Sequence, residues 1–209
     1  RPPAPAAATL SLYPSDLSQV YLALVTPAPA ESDPRRRAAH LLSEILGGGM
    51  SSRLFQTIRE DAGLAYAVYA YTEHFDDAGL FGVSLGTSPA RGPEALERTL
   101  EEMERLRREG LKPGELDAAK AQVRGAIVMG MESLSQRMTR LARAEIRTGE
   151  PERVDEVLAE YDAVSEADVM EAARTLLDPI RQNLVALGPV DRGQYAFHDF
   201  ARVVEMELP

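Results

Sequence analysis

The chain has 209 residues, a formal net charge of −10 and no cysteine. That charge opposes a phosphate backbone as the main partner, and the missing thiols exclude cysteine nucleophiles, disulfides and thiolate zinc sites. With 44% hydrophobic residues and no apolar run near the roughly 20 residues of a membrane span, the composition predicts a globular domain with a sizeable core, and neither nucleic acid nor membrane as partner.

Residues 1–9 read as a Pro/Ala linker, extended and poorly packed. They lack an initiator Met, so the expectation is a fragment, with any targeting signal upstream and a cytoplasmic location only by default. Residues 10–190 form the domain and 191–209 a tail. Gln19 to Thr26 is predicted as a strand, with Val20, Leu22 and Leu24 on one face. Asp33 and Pro34 then start a helix through "RRRAAHLLSEIL", which Gly47 is expected to end in a left-handed conformation. Ser51 or Ser52 caps a short helix, "SRLFQTIRE", with Leu54, Phe55 and Ile58 as its apolar stripe, closed by Gly63. Leu64 to Phe75 is predicted as a long aromatic-rich strand, paired as a hairpin with "LFGVSLGT".

A run of helices follows. Ser88 to about Gly110 carries Leu96, Leu100, Met103 and Leu106 on one side. A further helix starts near Pro113, with Glu115 and Asp117 favourable to its dipole, and breaks near Gly130. "SQRMTRLARAEIRT", "PERVDEVLAEYDAV" and "EADVMEAARTLL" come next, the last opened by a Ser165/Asp168 capping box. "QNLVALG" is a last strand, and the tail is ambiguous apart from a strand-like "ARVVEMEL". The order predicts an α+β fold, a mostly antiparallel sheet with helices on one face, rather than regular βαβ winding.

Leu46 to Phe75 has the density of a site but no evident nucleophile. Gly47, Gly48 and Gly49 follow a helix and precede Met50, whereas a phosphate loop wants a preceding strand and a following Lys. They read as a helix stop or as a side-chain-free loop open to close approach. His40 and Glu44 share a helix face, but two ligands do not make a zinc site. The serines are explained by capping. Arg59 and Tyr66 remain, one at the end of the short helix and one at the start of the strand, joined through Gly63. A guanidinium fork and a phenol suit a peptide carbonyl or developing oxyanion; the plainer reading is an Arg paired with Glu60 or Asp61 and a Tyr packed in the sheet.

The combined "GGGMSSRLF" and "GLAY" pattern, continued through "ELDAAKAQVRGAIVMGMESLSQRMTRLARAEI" and "VSEADVMEAARTLL" to "LVALGP", resembles the second domain of the insulinase/pitrilysin/mitochondrial-processing-peptidase family of zinc peptidases. The resemblance spans roughly Leu10 to Pro189. It implies half of a LuxS/processing-peptidase-like metallohydrolase clamp. The other half carries an H-x-x-E-H motif, binds Zn²⁺ and activates water; this half binds no metal and contacts the peptide substrate. Arg59 and Tyr66 match the family's substrate-contacting R-x-x-x-x-x-x-Y pair, and Gly47 to Gly49 would form a lip by the substrate path. "HLLSE" at His40 lacks the second His of the zinc motif. The implied partners are a zinc-binding N-terminal half or subunit, with a dimer left open. The alternative within the family is a non-catalytic subunit or assembly module with no peptidase role.

Overall fold

The computed structural model describes residues 8–150, 153–195 and 202–205. Most of the expected linker, and His198, lie outside these, but Ala8 is already buried. The strands are β1 (Thr9–Pro14), β2 (Val20–Ala28), β3 (Ala67–His74), β4 (Gly79–Thr87), β5 (Asn183–Gly188) and β6 (Arg202–Glu205). They form one six-stranded sheet in the order β3-β4-β2-β5-β1-β6. The pairs β2–β4, β2–β5 and β3–β4 are antiparallel. The pairs β1–β5 and β1–β6 are parallel. The fold is thus α+β with a mostly antiparallel sheet, as the element order predicts. β1 is an addition: "TLSLYP" is too short and too close to the Pro-rich start to stand out. Its parallel partners lie far along the chain, and only that pairing makes it a strand.

The helices are α1 (Arg36–Gly47), α2 (Gly92–Glu109), α3 (Glu115–Gly130), α4 (Leu134–Thr148), α5 (Val154–Ala163), α6 (Glu166–Leu176) and α7 (Arg192–Tyr195). One sheet face supplies Val20, Leu22, Leu24, Val68, Phe81, Val83 and Leu85 to the core, and α1 meets it with Leu41, Leu42, Ile45 and Leu46. The opposite face is open. Tyr21 and Tyr69 stand about half exposed on it, and Tyr71 lies across the ladder from Gly82. The ring covers backbone that the glycine leaves bare, a cross-strand arrangement that compensates for a missing side chain. The capping box at α6 forms as read: Asp168 N donates to Ser165 Oγ and Ser165 N to Asp168 Oδ2.

Two expectations about helix ends are corrected. Gly47 does not stop α1 in a left-handed conformation: it is the last helical residue, and Gly48 follows at φ −83°. The glycine serves packing instead. A Cβ at Gly47 would collide with the backbone nitrogen of Ala70 and the carbonyl carbon of Tyr69 in β3, so its absence sets how closely the helix approaches the sheet. Gly47→Ala is therefore expected to cost about 1–3 kcal/mol, because strand backbone cannot yield as a side chain can; urea unfolding measures it. Likewise Ser52 does not cap the next helix by accepting a hydrogen bond. Its hydroxyl donates back to Gly49 O at 2.6 Å.

Candidate functional site

The glycine-rich connection between α1 and the next helix is held by polar contacts rather than by packing. Gln122 of α3 donates to Gly48 O at 2.9 Å. Gln56 donates to Met50 O at 2.6 Å. Met50 itself projects into solvent. Gly47 is buried under β3, so of the three glycines only Gly48 and Gly49 belong to the connection itself.

The short helix is a π-helix over Phe55–Asp61. Leu54 and Ile58 are fully buried, and the guanidinium of Arg59 lies over the Phe55 ring at 4.8 Å. Gly63 then turns the chain at φ +60°, a conformation that costs a non-glycine residue about 1–2 kcal/mol. Leu64 N donates back to Ile58 O at 2.8 Å, and Tyr66 N donates to Gly86 O at 2.9 Å. Two side chains brace this turn from below: Arg91 donates to Gly63 O at 2.6 Å and Thr87 to Leu64 O at 2.5 Å. The regular strand starts only at Ala67, later than the predicted Leu64, because residues 64–66 are spent on the turn.

The structure thus sets Arg59 and Tyr66 at the two ends of one braced turn. Both point into solvent, Tyr66 at 64% relative exposure. Neither Glu60 nor Asp61 takes the Arg59 guanidinium, and among the described residues neither side chain makes a hydrogen bond or ion pair. The two are not bonded to each other. Among the described residues β3, which follows Tyr66, is the sheet's edge and pairs with β4 alone. A polar fork, a phenol and an open strand edge can together hold an extended peptide by its backbone.

Sequence reasoning missed what anchors this region. Arg53 is buried, at 4% relative exposure. It grips Glu115 at the start of α3 with two hydrogen bonds, 2.8 and 2.6 Å, and donates to Gly110 O at 2.8 Å. Its remaining nitrogen lies 3.6 Å from Glu102 of α2, which is equally buried. Burial would raise the Glu115 carboxyl, but the bonds from Arg53 and Lys112 N outweigh it and hold the group below the usual range. The available signal was an Arg placed directly against the apolar stripe of a short helix; its partners lie 49 to 62 residues away and no local pattern names them.

His40 and Glu44 do come close, with Nε2 3.6 Å from Oε1. They belong to a polar cluster beneath the outer helices. His40 Nδ1 shares a 2.6 Å hydrogen bond with the Tyr161 hydroxyl, and Glu44 Oε2 accepts from Gln122 at 2.7 Å. These residues do not fit a zinc ion. There is one imidazole and one carboxylate, and the third group is an amide whose nitrogen already serves Glu44 and Gly48. Among the described residues, no three His, Cys, Asp or Glu gather to hold a metal.

Burial, then the charges of His74 and Arg37, push His40 down to about 4 from an ordinary 6.5. The unfolded chain therefore binds this proton first. The group contributes stability that is complete above pH 6.5 and lost as pH falls toward 4. His40→Gln is expected to flatten the stability profile across that window relative to the unsubstituted chain. Urea unfolding at pH 4, 5, 6 and 7 measures it, and parallel profiles would exclude His40 as the source.

Known proteins are similar to this chain in sequence and fold. Residues 1–123 match the family model described as the peptidase M16 inactive domain. An uncharacterized zinc protease of Streptomyces coelicolor is 38% identical over 195 residues, covering 93% of this chain and 42% of that protein. An uncharacterized zinc protease of Mycobacterium tuberculosis is 36% identical over 180 residues, covering 86% and 41%. This chain thus spans about two-fifths of the length of these relatives. Among solved structures, a peptidase M16 inactive domain from Pseudomonas fluorescens superposes with a TM-score of 0.81 at 23% identity, covering 91% of this chain and 46% of that one. A chain of complex III2 from Candida albicans superposes with 0.77 at 18% identity, covering 90% and 48%. Both show a shared fold. With a family model across more than half the sequence and a relative matched over nearly all of it, the chain belongs to the peptidase M16 inactive-domain family.

Proposed function

We propose that this chain is the substrate-binding half of a clamp-shaped zinc metalloendopeptidase, with the metal on a companion half or partner chain. The observation that carries the reading is the braced Gly63 turn, which presents two unpaired donors, Arg59 and Tyr66, at the head of the open edge strand β3. An extended peptide adds to that edge through backbone hydrogen bonds. Arg59 and Tyr66 then donate to the carbonyl oxygens nearest the scissile bond, and Gly48 and Gly49 leave room for the chain to pass. Zinc, when bound by the companion half, supplies the activated water. This chain's residues orient the peptide and favour negative charge on its carbonyl oxygen.

Peptidase activity on an unstructured peptide mixture tests the reading, with this chain alone, with the zinc-bearing half alone, and with both. Cleavage only on mixing is expected; cleavage by this chain alone would overturn it. The second reading, a non-catalytic assembly module, draws on the likeness to a complex III2 chain, which is one of fold alone. Association of the two halves with no cleavage in any arm would favour it.

A further inference from the structure

The helix α4 is built inside out. An amphipathic surface helix normally turns its apolar stripe to the core and its charges to water. In α4 the apolar residues Leu134, Met138 and Leu141 follow one another at i, i+4 and i+7, and they are 80%, 65% and 53% exposed. Ile146 on another side of α4, and Val128 and Met129 at the end of α3, are exposed as well. The opposite, polar face looks inward. Ser135, Thr139, Arg140 and Arg143 line a cleft of about 850 Å³ whose far wall is the start of α1 and Tyr161 of α5. Ala144 alone among the described α4 side chains is buried. A 15-residue helix with so little packing would be marginal by itself in water, and an apolar patch of this extent on a domain surface marks an interaction site.

We propose that the outward stripe of α4 is the docking surface for the companion half of the assembled peptidase, presented as a helix to an apolar groove. The inference rests on the functional reading above. Length argues for this occupant: the matched relatives carry more than half of their chain beyond the region equivalent to this one. Charge argues against a second copy, since each chain bears −10 and pairing two adds like charge to like. A lipid surface fits less well. Interfacial helices place basic side chains beside the inserted stripe, whereas Arg140 and Arg143 turn back into the cleft and, among the described residues, only Arg137 flanks the stripe.

The test uses Met138→Glu with Leu141→Glu, which leaves the core untouched. Hydrogen exchange of residues 134–146 is followed in this chain with and without the zinc-bearing half, beside affinity and cleavage. Association is expected to slow α4 exchange at least 10-fold, and the double variant to weaken association at least 10-fold with an unchanged melting temperature. Association at full strength in the variant, or α4 exchange unchanged on binding, would overturn the proposal while leaving the peptidase reading standing if cleavage persists. No cleavage by the unsubstituted mixture, with α4 still protected, would sink the peptidase reading and keep the interface. Concentration-dependent dimerisation of this chain alone, or binding to anionic vesicles, abolished by the double variant without effect on association of the halves, would overturn it in favour of those occupants.

Discussion

In the two-half peptidase proposed above, Arg59→Ala or Tyr66→Ala is expected to lower kcat/KM by about 10²-fold or more. The loss should fall mainly on kcat if the two groups act on charge that develops at the carbonyl, and on KM if they only hold the peptide. Tyr66→Phe isolates the hydroxyl. Arg59→Lys keeps the charge but loses the planar fork, so it should recover little. Both side chains are exposed and, among the described residues, carry no hydrogen bond or ion pair, so the variants should stay within about 1 kcal/mol of the parent in stability. That separation makes the measurement decisive. Unchanged kcat/KM in both variants, in an assembly that cleaves peptides, would remove the pair from the mechanism.

Arg53→Ala carries the largest expected effect on stability, a loss of about 3 kcal/mol, because it leaves the buried Glu102 with Arg105 alone and strips the half-buried Glu115 of two charge-assisted hydrogen bonds. For a chain of this size that corresponds to a fall in melting temperature on the order of 10 °C. Arg53→Met with Glu102→Gln should recover part of the loss, since it removes charge from both sides of the buried pair. A single variant that melts like the parent would show that the guanidinium is not what ties the glycine-rich connection to α2 and α3. Arg53 adjoins the buried Leu54, and Arg59 lies on the same short helix. The double variant should therefore be assayed for cleavage as well, to learn whether the anchor also positions the grip.

Periodic elements were legible in the sequence because their signals are local. The alternation of Val20, Leu22 and Leu24 and the Ser165/Asp168 box both appear as read. Arg59 and Tyr66 were singled out through the resemblance, but their lack of hydrogen bonds and ion pairs among the described residues was not legible, since Glu60 and Asp61 stand next to Arg59 and only the turn decides where each points. Gly47 was misread because a glycine after a helical run looks like a stop; its real constraint comes from β3, 20 and more residues later. The face of α4 could not be assigned from pattern alone. Its stripe is as regular as that of a core helix, and only the fold shows that it looks away from the core.

The π-helical path over Phe55–Asp61 has a consequence for how this scaffold can change over generations. Such a path holds one residue more than an α-helix between the same ends, and it often sits at functional positions. Deleting a single codon there would restore ordinary i→i−4 pairing and leave the backbone satisfied. It would also swing the side chains on one flank by about 100° relative to the other, carrying Arg59 away from the turn. One in-frame deletion would then remove the proposed grip from such a domain while leaving its architecture folded.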